Sequence, residues 1–441
     1  MIKAVADKAN LELSKNSYSW VAWSIMSFYC VLQFLFQGSI GILAEGVKES
    51  FGTDATGISL LSSSFYISYI IMQIPAGMIY DRFGIRRVAI GANSILVMGC
   101  LCLAIAPNLA TAILSRVIIG FGASFGFVGL IFGVKKWFSI RQFAAMVAIA
   151  ECLCMVGVGT ANNLLSISAS KFGWRTAVGF CALLTLGQLF VMILYLHDTS
   201  IAPKGVAKSK NKMVVDLKSV LKHREVWLAG SYSAGVFSIV SVFVALWSIP
   251  FLTSTYHLDI IEATSISSTV YMGIAASSLF IGWLSKRFCI TSIMNFGSCL
   301  TLIFSLFFLY VRLPASSLYI LAFSIGFCSA VYQLSFTLIA KSIPNEIGGA
   351  AIGATNMIMM LAAPILQTLI GMIISSNQGL GVLDGFEVYA ESSYHLGLSI
   401  IPMCLFIAFL TTFSMPYAES KTIRKWFTNH LIHVRQTSLL K

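Results

Sequence analysis

Charge is the scarcest property of this sequence: Asp, Glu, Lys and Arg make up 10% of its 441 residues. Ordinary soluble domains carry about 25%. With 57% hydrophobic residues and a mean hydropathy of +0.85, the chain reads as an all-α integral membrane protein and not as a soluble globule. Other absences narrow the field. No Gly-rich loop ending in Lys-Ser or Lys-Thr occurs, which argues against ATP as the energy source. No clustered His/Cys spacing suits a metal, and no nucleophile constellation marks an enzyme. No metal, organic cofactor or catalytic residue is therefore assigned. None of the ten cysteines falls in an outer loop, so no disulfide is expected.

What fills the chain is apolar runs. Twelve are long enough to cross a hydrocarbon core of roughly 30 Å. They lie at about 20–44, 57–80, 88–106, 110–134, 142–168, 175–197, 226–252, 265–285, 291–311, 316–340, 348–374 and 394–417, and are numbered spans 1 to 12. Residues 1–19 are mostly polar, and the first run is too long for a signal-peptide core, so it is expected to remain as span 1.

A net charge of +12 raises the question of nucleic acid. The loops answer it. With the N-terminus in the cytosol, 24 of the 29 basic residues fall on the inner side, from Lys3 through Arg82, Lys135 and the Lys204–Lys222 loop to Lys441. Only Lys48, Lys171, Arg175 and Arg312 fall outside, and Arg116 lies within span 4. This bias places both termini in the cytosol and accounts for the charge without nucleic acid.

The polar, Lys-rich stretch 198–225 divides the chain into a six-span bundle at 1–197 and another at 226–418, with a cytosolic tail at 419–441. The halves echo each other. Shifted by 205 residues, Ser62, Ser63, Tyr66, Gly77, Arg82, Phe83 and Ile85 meet Ser267, Ser268, Tyr271, Gly282, Arg287, Phe288 and Ile290. Two six-helix bundles related by a pseudo-two-fold axis are expected, with a binding site near the midplane between them. In the tail, Ile423, Trp426, Phe427, Leu431 and Val434 recur at helical spacing among basic residues. They suit a helix lying on the inner leaflet, with a disordered tail as the alternative.

The loop "GMIYDRFGIRR" (77–87) resembles the motif between spans 2 and 3 of the major facilitator superfamily. "RVIIGFG" (116–122) is similar to that superfamily's span 4 pattern, "KKWF" with Arg141 to its next loop, and "FGWR" (172–175) to its entry into span 6. "GAAIGATNM" (349–357) and "PILQTLIG" (364–371) resemble span 11 of a branch that includes bacterial nutrient importers and lysosomal peptide carriers. The resemblance implies twelve helices, alternating access, a small-molecule substrate and no nucleic-acid partner. Span 5 has Gly157 and Gly159 but lacks the Gly-Pro pair usual in the superfamily's drug–proton antiporters.

Asp81 ends span 2 amid arginines, on the side where span 11 begins. An acid beside a helix start gains about 0.3–1 kcal/mol. The resemblance implies that Asp81 and Arg82 hold the inner gate shut in the outward-open state. Gly77 and Gly84 are expected to permit close approach and a tight turn.

Only Arg116 and Glu151 lie well inside spans. A buried ionisable group is costly and therefore a functional candidate. Arg116 is a candidate anchor for a carboxylate or phosphate, or a packing element of span 4. For Glu151 three readings stand: carrier of a coupling proton, ligand of a substrate amino group, or structural partner of Arg116. A substrate met by both would be zwitterionic. Gln37, Tyr66, Trp247 and Asn356 are added as substrate-site candidates, because amides orient polar ligands and aromatics wall them. Trp247 precedes Pro250, which can loosen span 7 at a gate.

The whole reads as a secondary transporter, a proton-coupled importer of a small amino acid, short peptide or organic anion. It is expected to be a monomer in the lipid bilayer of a bacterial inner membrane. A drug or siderophore exporter is the first alternative and a transporter-like sensor the second.

Overall fold

A computed structural model describes residues 2–197, 220, 222–343, 345–377, 381–383 and 386–415. The tail segment 419–441 and residues 198–219 of the Lys-rich linker lie outside them. Twelve helices among the described residues are long and apolar enough to cross a membrane. They are Ser17–Phe51, Ala55–Gln73, Ile85–Ala104, Leu109–Trp137, Ala145–Phe172 and Trp174–Tyr195 in the first half. Arg224–Tyr256, Ile260–Ser285, Ile290–Tyr310, Ala315–Ser342, Ala351–Ser376 and Glu391–Ser414 form the second. Each falls on one of the twelve apolar runs. One small addition is a hairpin of two three-residue strands, Gly381–Leu383 and Phe386–Val388, between spans 11 and 12.

Spans 1 and 7 are 89% and 94% buried, whereas spans 6 and 12 are 39% buried. The first pair is therefore enclosed by the other helices, and the second pair lies at the periphery of the bundle, where much of its surface is exposed. Lipid tails are as apolar as leucine, so tight packing by small residues holds such helices together. Span 4 crosses span 2 so closely that a Cβ on Gly120 would collide with the Phe65 carbonyl. Span 10 crosses span 8 in the same way, with Gly326 against the Val270 carbonyl. Phe65 and Val270 are 205 positions apart, and Gly120 and Gly326 are 206 apart. The repeat seen in the sequence is thus a repeat of helix crossings, and it relates the two six-helix bundles by their pseudo-two-fold axis.

Four spans are not regular, span 12 among them, with a turn at Ser399 between Glu391–Leu398 and Ile400–Thr411. Span 4 breaks at Ser124, between Leu109–Ala123 and Phe125–Trp137. Span 10 passes through a 3-10 turn at Ala330–Gln333. Span 7 widens into a π-helix over Ile239–Trp247, just before Pro250. Each break strands backbone groups that hydrocarbon cannot hydrogen-bond, and in spans 4 and 7 side chains supply the partners. Around the span 4 break, Tyr29 donates to the Gly122 carbonyl (2.7 Å) and Tyr80 to that of Phe125 (2.9 Å). Gln33 Oε1 accepts from the Phe127 amide (2.8 Å). In span 7 the Ser241 carbonyl accepts from Tyr66 Oη (3.1 Å) and Gln367 Nε2 (2.6 Å).

Gly84, with φ of 80°, makes the turn between spans 2 and 3 in a conformation that favours glycine. Gly77 departs from expectation. A Cβ there would meet only Val128 Cγ1, at 4.0 Å, so no close approach requires a glycine.

Replacing Gly120 by Val should be severe, because its obstacle is backbone and cannot turn aside; overpacking costs about 1–3 kcal/mol even where side chains can adjust. Gly91→Ala, with open space around it, is the control. Melting of the two purified variants should show Gly120→Val shifted down or lost and Gly91→Ala unchanged.

Candidate functional site: a buried cluster between the halves

The face bearing Arg82, Arg86 and Lys135 is called the basic face here. At the opposite face the halves are latched. Thr56 meets Ser375 through its amide and its hydroxyl (3.1 and 3.0 Å), and the Ala55 amide donates to Tyr389 Oη (3.0 Å). Lys48 Nζ stands 4.4 Å over the Tyr389 ring. Ser265 donates to Asn163 Oδ1 (2.7 Å), tying span 8 to span 5. Nearer the basic face, Asn356 Nδ2 donates to Gln73 Oε1 (2.9 Å) and Gln333 Nε2 to Glu151 (2.9 Å).

At mid-depth lies a polar cluster. Arg116 is fully buried. Its Nη1 donates to the Phe36 carbonyl of span 1 (2.6 Å), with Ser39 Oγ at the 3.5 Å limit. The guanidinium stacks over Phe65 at 4.9 Å. Its Nε and Nη2 have no partner. Gln37, one residue beyond Phe36, is also buried, and neither end of its amide is paired. It lies against the Tyr66 hydroxyl without a hydrogen bond of ordinary geometry. Tyr66 has Arg116 and Tyr271 within electrostatic reach, and Asn162 of span 5 sits beside Tyr271. Asn162 Oδ1 and Ser268 Oγ are buried and unpaired as well. Leaving one such group unpaired costs about 1–3 kcal/mol, more if charged.

The expected site residues thus separate. Arg116, Gln37 and Tyr66 come together. Trp247 is buried on span 7 with Nε1 unpaired, at the end of the π-helix. Asn356 is taken up by Gln73. Glu151, partly exposed, accepts from Tyr332 Oη (3.1 Å) and Gln333 Nε2 (2.9 Å), both on span 10. The pairing of Arg116 with Glu151 does not form: no ion pair among the described residues includes either. Span 4 turns Arg116 towards span 1, while span 5 turns Glu151 across to the other half. The two charges stand apart in this conformation. Asp81 and Arg82 stand exposed at the basic face; the Arg82 guanidinium lies over Phe83 at 5.1 Å.

A family model described as Major Facilitator Superfamily matches residues 25–367. The chain belongs to the major facilitator superfamily. As a member, it is a multi-pass membrane transporter. It is 22% identical over 417 residues to the "Uncharacterized transporter YybO" of Bacillus subtilis (strain 168), covering 88% of this chain and 92% of that one. It is 20% identical over 408 residues to the "Probable galactarate/D-glucarate transporter GudP" of Escherichia coli (strain K12), covering 83% and 89%. Among solved structures, it shares the fold of a bacterial homologue of the human lysosomal transporter Spinster in an inward-facing, unoccupied conformation. The TM-score is 0.70 at 14% identity, covering 90% of this chain and 97% of that one.

Sequence reasoning missed Asn162, Ser268 and the Ser241 carbonyl. Asn162 carried no signal beyond being polar in a span, and Ser268 only its place in the repeat, opposite Ser63. The third is a main-chain atom, exposed by a π-helix whose only warning was Pro250 downstream.

Tyr66→Phe removes the one bond by which span 2 holds the span 7 carbonyl, worth about 1 kcal/mol. With the native cysteines replaced by serine, a cysteine at Ser63 should be labelled about five-fold faster in this variant than in its Tyr66 parent.

Proposed function

We propose that this transporter is a proton-coupled importer of small organic anions whose carboxylate is held by Arg116. The observation that carries the reading is the unpaired Nε–Nη2 edge of a fully buried guanidinium. That planar edge matches a carboxylate with two parallel hydrogen bonds. The printed name of one relative, a galactarate/D-glucarate transporter, points to the same chemistry. A zwitterionic substrate is less favoured, because the acid that would meet its ammonium faces span 10 instead.

Glu151 is the proton carrier in this reading. Ionised, it accepts two hydrogen bonds from span 10 of the other half. Protonated, it accepts them more weakly, since charge-assisted hydrogen bonds are roughly twice as strong as neutral ones. A proton thus loosens span 5 from span 10. With the basic face taken as cytosolic, substrate enters from the latched face once the Thr56–Ser375 and Tyr389 contacts part, and it leaves towards the basic face.

Proteoliposomes with and without an imposed proton gradient test both assignments. Arg116→Gln should lower uptake of a labelled organic anion roughly 100-fold, the scale of two charge-assisted hydrogen bonds. Unchanged uptake would overturn the anchor. Glu151→Gln should lose gradient-driven accumulation yet retain exchange of internal for external anion, because exchange moves no net proton. Accumulation that survives in Glu151→Gln would remove Glu151 from the coupling role.

A further inference from the structure

Resting on the assignment of Arg116 to a carboxylate, the cluster carries a second message about the rest of the substrate. Gln37 is 2% exposed, with a donor and an acceptor both unpaired. Were it a helix-to-helix link, as amides in spans commonly are, one end would be bonded; Gln33, one turn earlier on span 1, shows the contrast. Gln33 donates to Tyr69 Oη (2.8 Å) and accepts from the Phe127 amide (2.8 Å), so both ends are used. Gln37 makes no hydrogen bond of ordinary geometry at either end, though it lies against the Tyr66 hydroxyl. An amide offers its donor and acceptor side by side. Among small neutral groups, an alcohol hydroxyl is the complement, since it too donates and accepts. An apolar or aromatic substrate body would leave both ends of the amide orphaned.

Position adds the second half of the argument. Gln37 directly follows Phe36, whose carbonyl holds Arg116 Nη1. The Tyr66 hydroxyl lies against the amide and within electrostatic reach of the guanidinium. Beyond it, Asn162 Oδ1 and Ser268 Oγ are further unpaired groups, contributed by spans 5 and 8. The cluster therefore combines one cation with several neutral donors and acceptors.

The geometry points to Gln37 as the residue that selects hydroxylated carboxylates, of the sugar-acid class, over carboxylates without hydroxyls. Arg116 takes the carboxylate, Gln37 takes a hydroxyl on a nearby carbon, and Asn162 and Ser268 take hydroxyls farther along. A site that hydrogen-bonds a substrate hydroxyl rejects the analogue lacking it strongly, because the buried partners are then left unpaired.

Binding to the purified full chain tests this with three six-carbon probes: galactonate, hexanoate (the same chain without hydroxyls) and galactitol (the hydroxyls without the carboxylate). Wild type should bind galactonate at least ten-fold more tightly than hexanoate. In Gln37→Leu the ratio should fall towards one; Gln37→Met, closer in length, serves the same purpose if the leucine variant does not give monodisperse protein. A ratio that stays at its wild-type value in a folded Gln37 variant overturns the inference and leaves Arg116 untouched. Failure of the Arg116 reading looks different: galactitol then binds wild type as tightly as galactonate does, or Arg116→Gln leaves galactonate binding unchanged.

Discussion

Within hydrocarbon no water comes to an orphaned peptide group, and this constraint shapes the protein more than any single contact. A helix satisfies its own backbone, so twelve unbroken helices would be the easiest solution. Spans 4, 7, 10 and 12 are broken all the same, and buried side chains serve the breaks in spans 4 and 7. Tyr29, Tyr80 and Gln33 do so for span 4, and Tyr66 and Gln367 for span 7. The polar residues of spans 1 and 2 thus divide into those that complete the backbone and those, like Gln37, that do not. Only the second group is free to meet a substrate.

That division explains how far the sequence could be read. Span positions follow from hydropathy alone, because about twenty apolar residues are needed whatever the packing, and the predicted runs fall on the observed helices. The repeat was legible because glycine and tyrosine recur at matching places. Its meaning became clear only with the carbonyls of Phe65 and Val270 opposite Gly120 and Gly326. Side-chain direction was harder. Arg116 and Glu151 drew notice as the two charges inside spans, but depth along a helix says nothing of the face it presents. One turns to span 1 and the other to span 10, so a plausible pair is in fact two separate stations. Gly77 likewise had the right residue type in the right motif without a crowded neighbour.

The separation of the two charges has its own logic. A salt bridge between buried ions is bought with desolvation that the attraction only partly repays, and it would silence both groups. Kept apart, each charge has neutral partners of its own half or the other: a carbonyl and a ring for Arg116, a phenol and an amide for Glu151. Neutral partners can be exchanged for a substrate, a proton or water at modest cost, whereas an ion pair must be broken. The arrangement suits a carrier whose charged groups change company during each cycle.

The Ser241 carbonyl has two donors of different allegiance. Tyr66 belongs to the first half and Gln367, like Ser241 itself, to the second. When the halves swing apart, the tyrosine departs and the amide stays. The carbonyl passes from two partners to one and never to none, so the motion forfeits about 1 kcal/mol rather than the full penalty of stripping a buried oxygen bare. A joint built with a resident understudy keeps its barrier low in both directions of the motion.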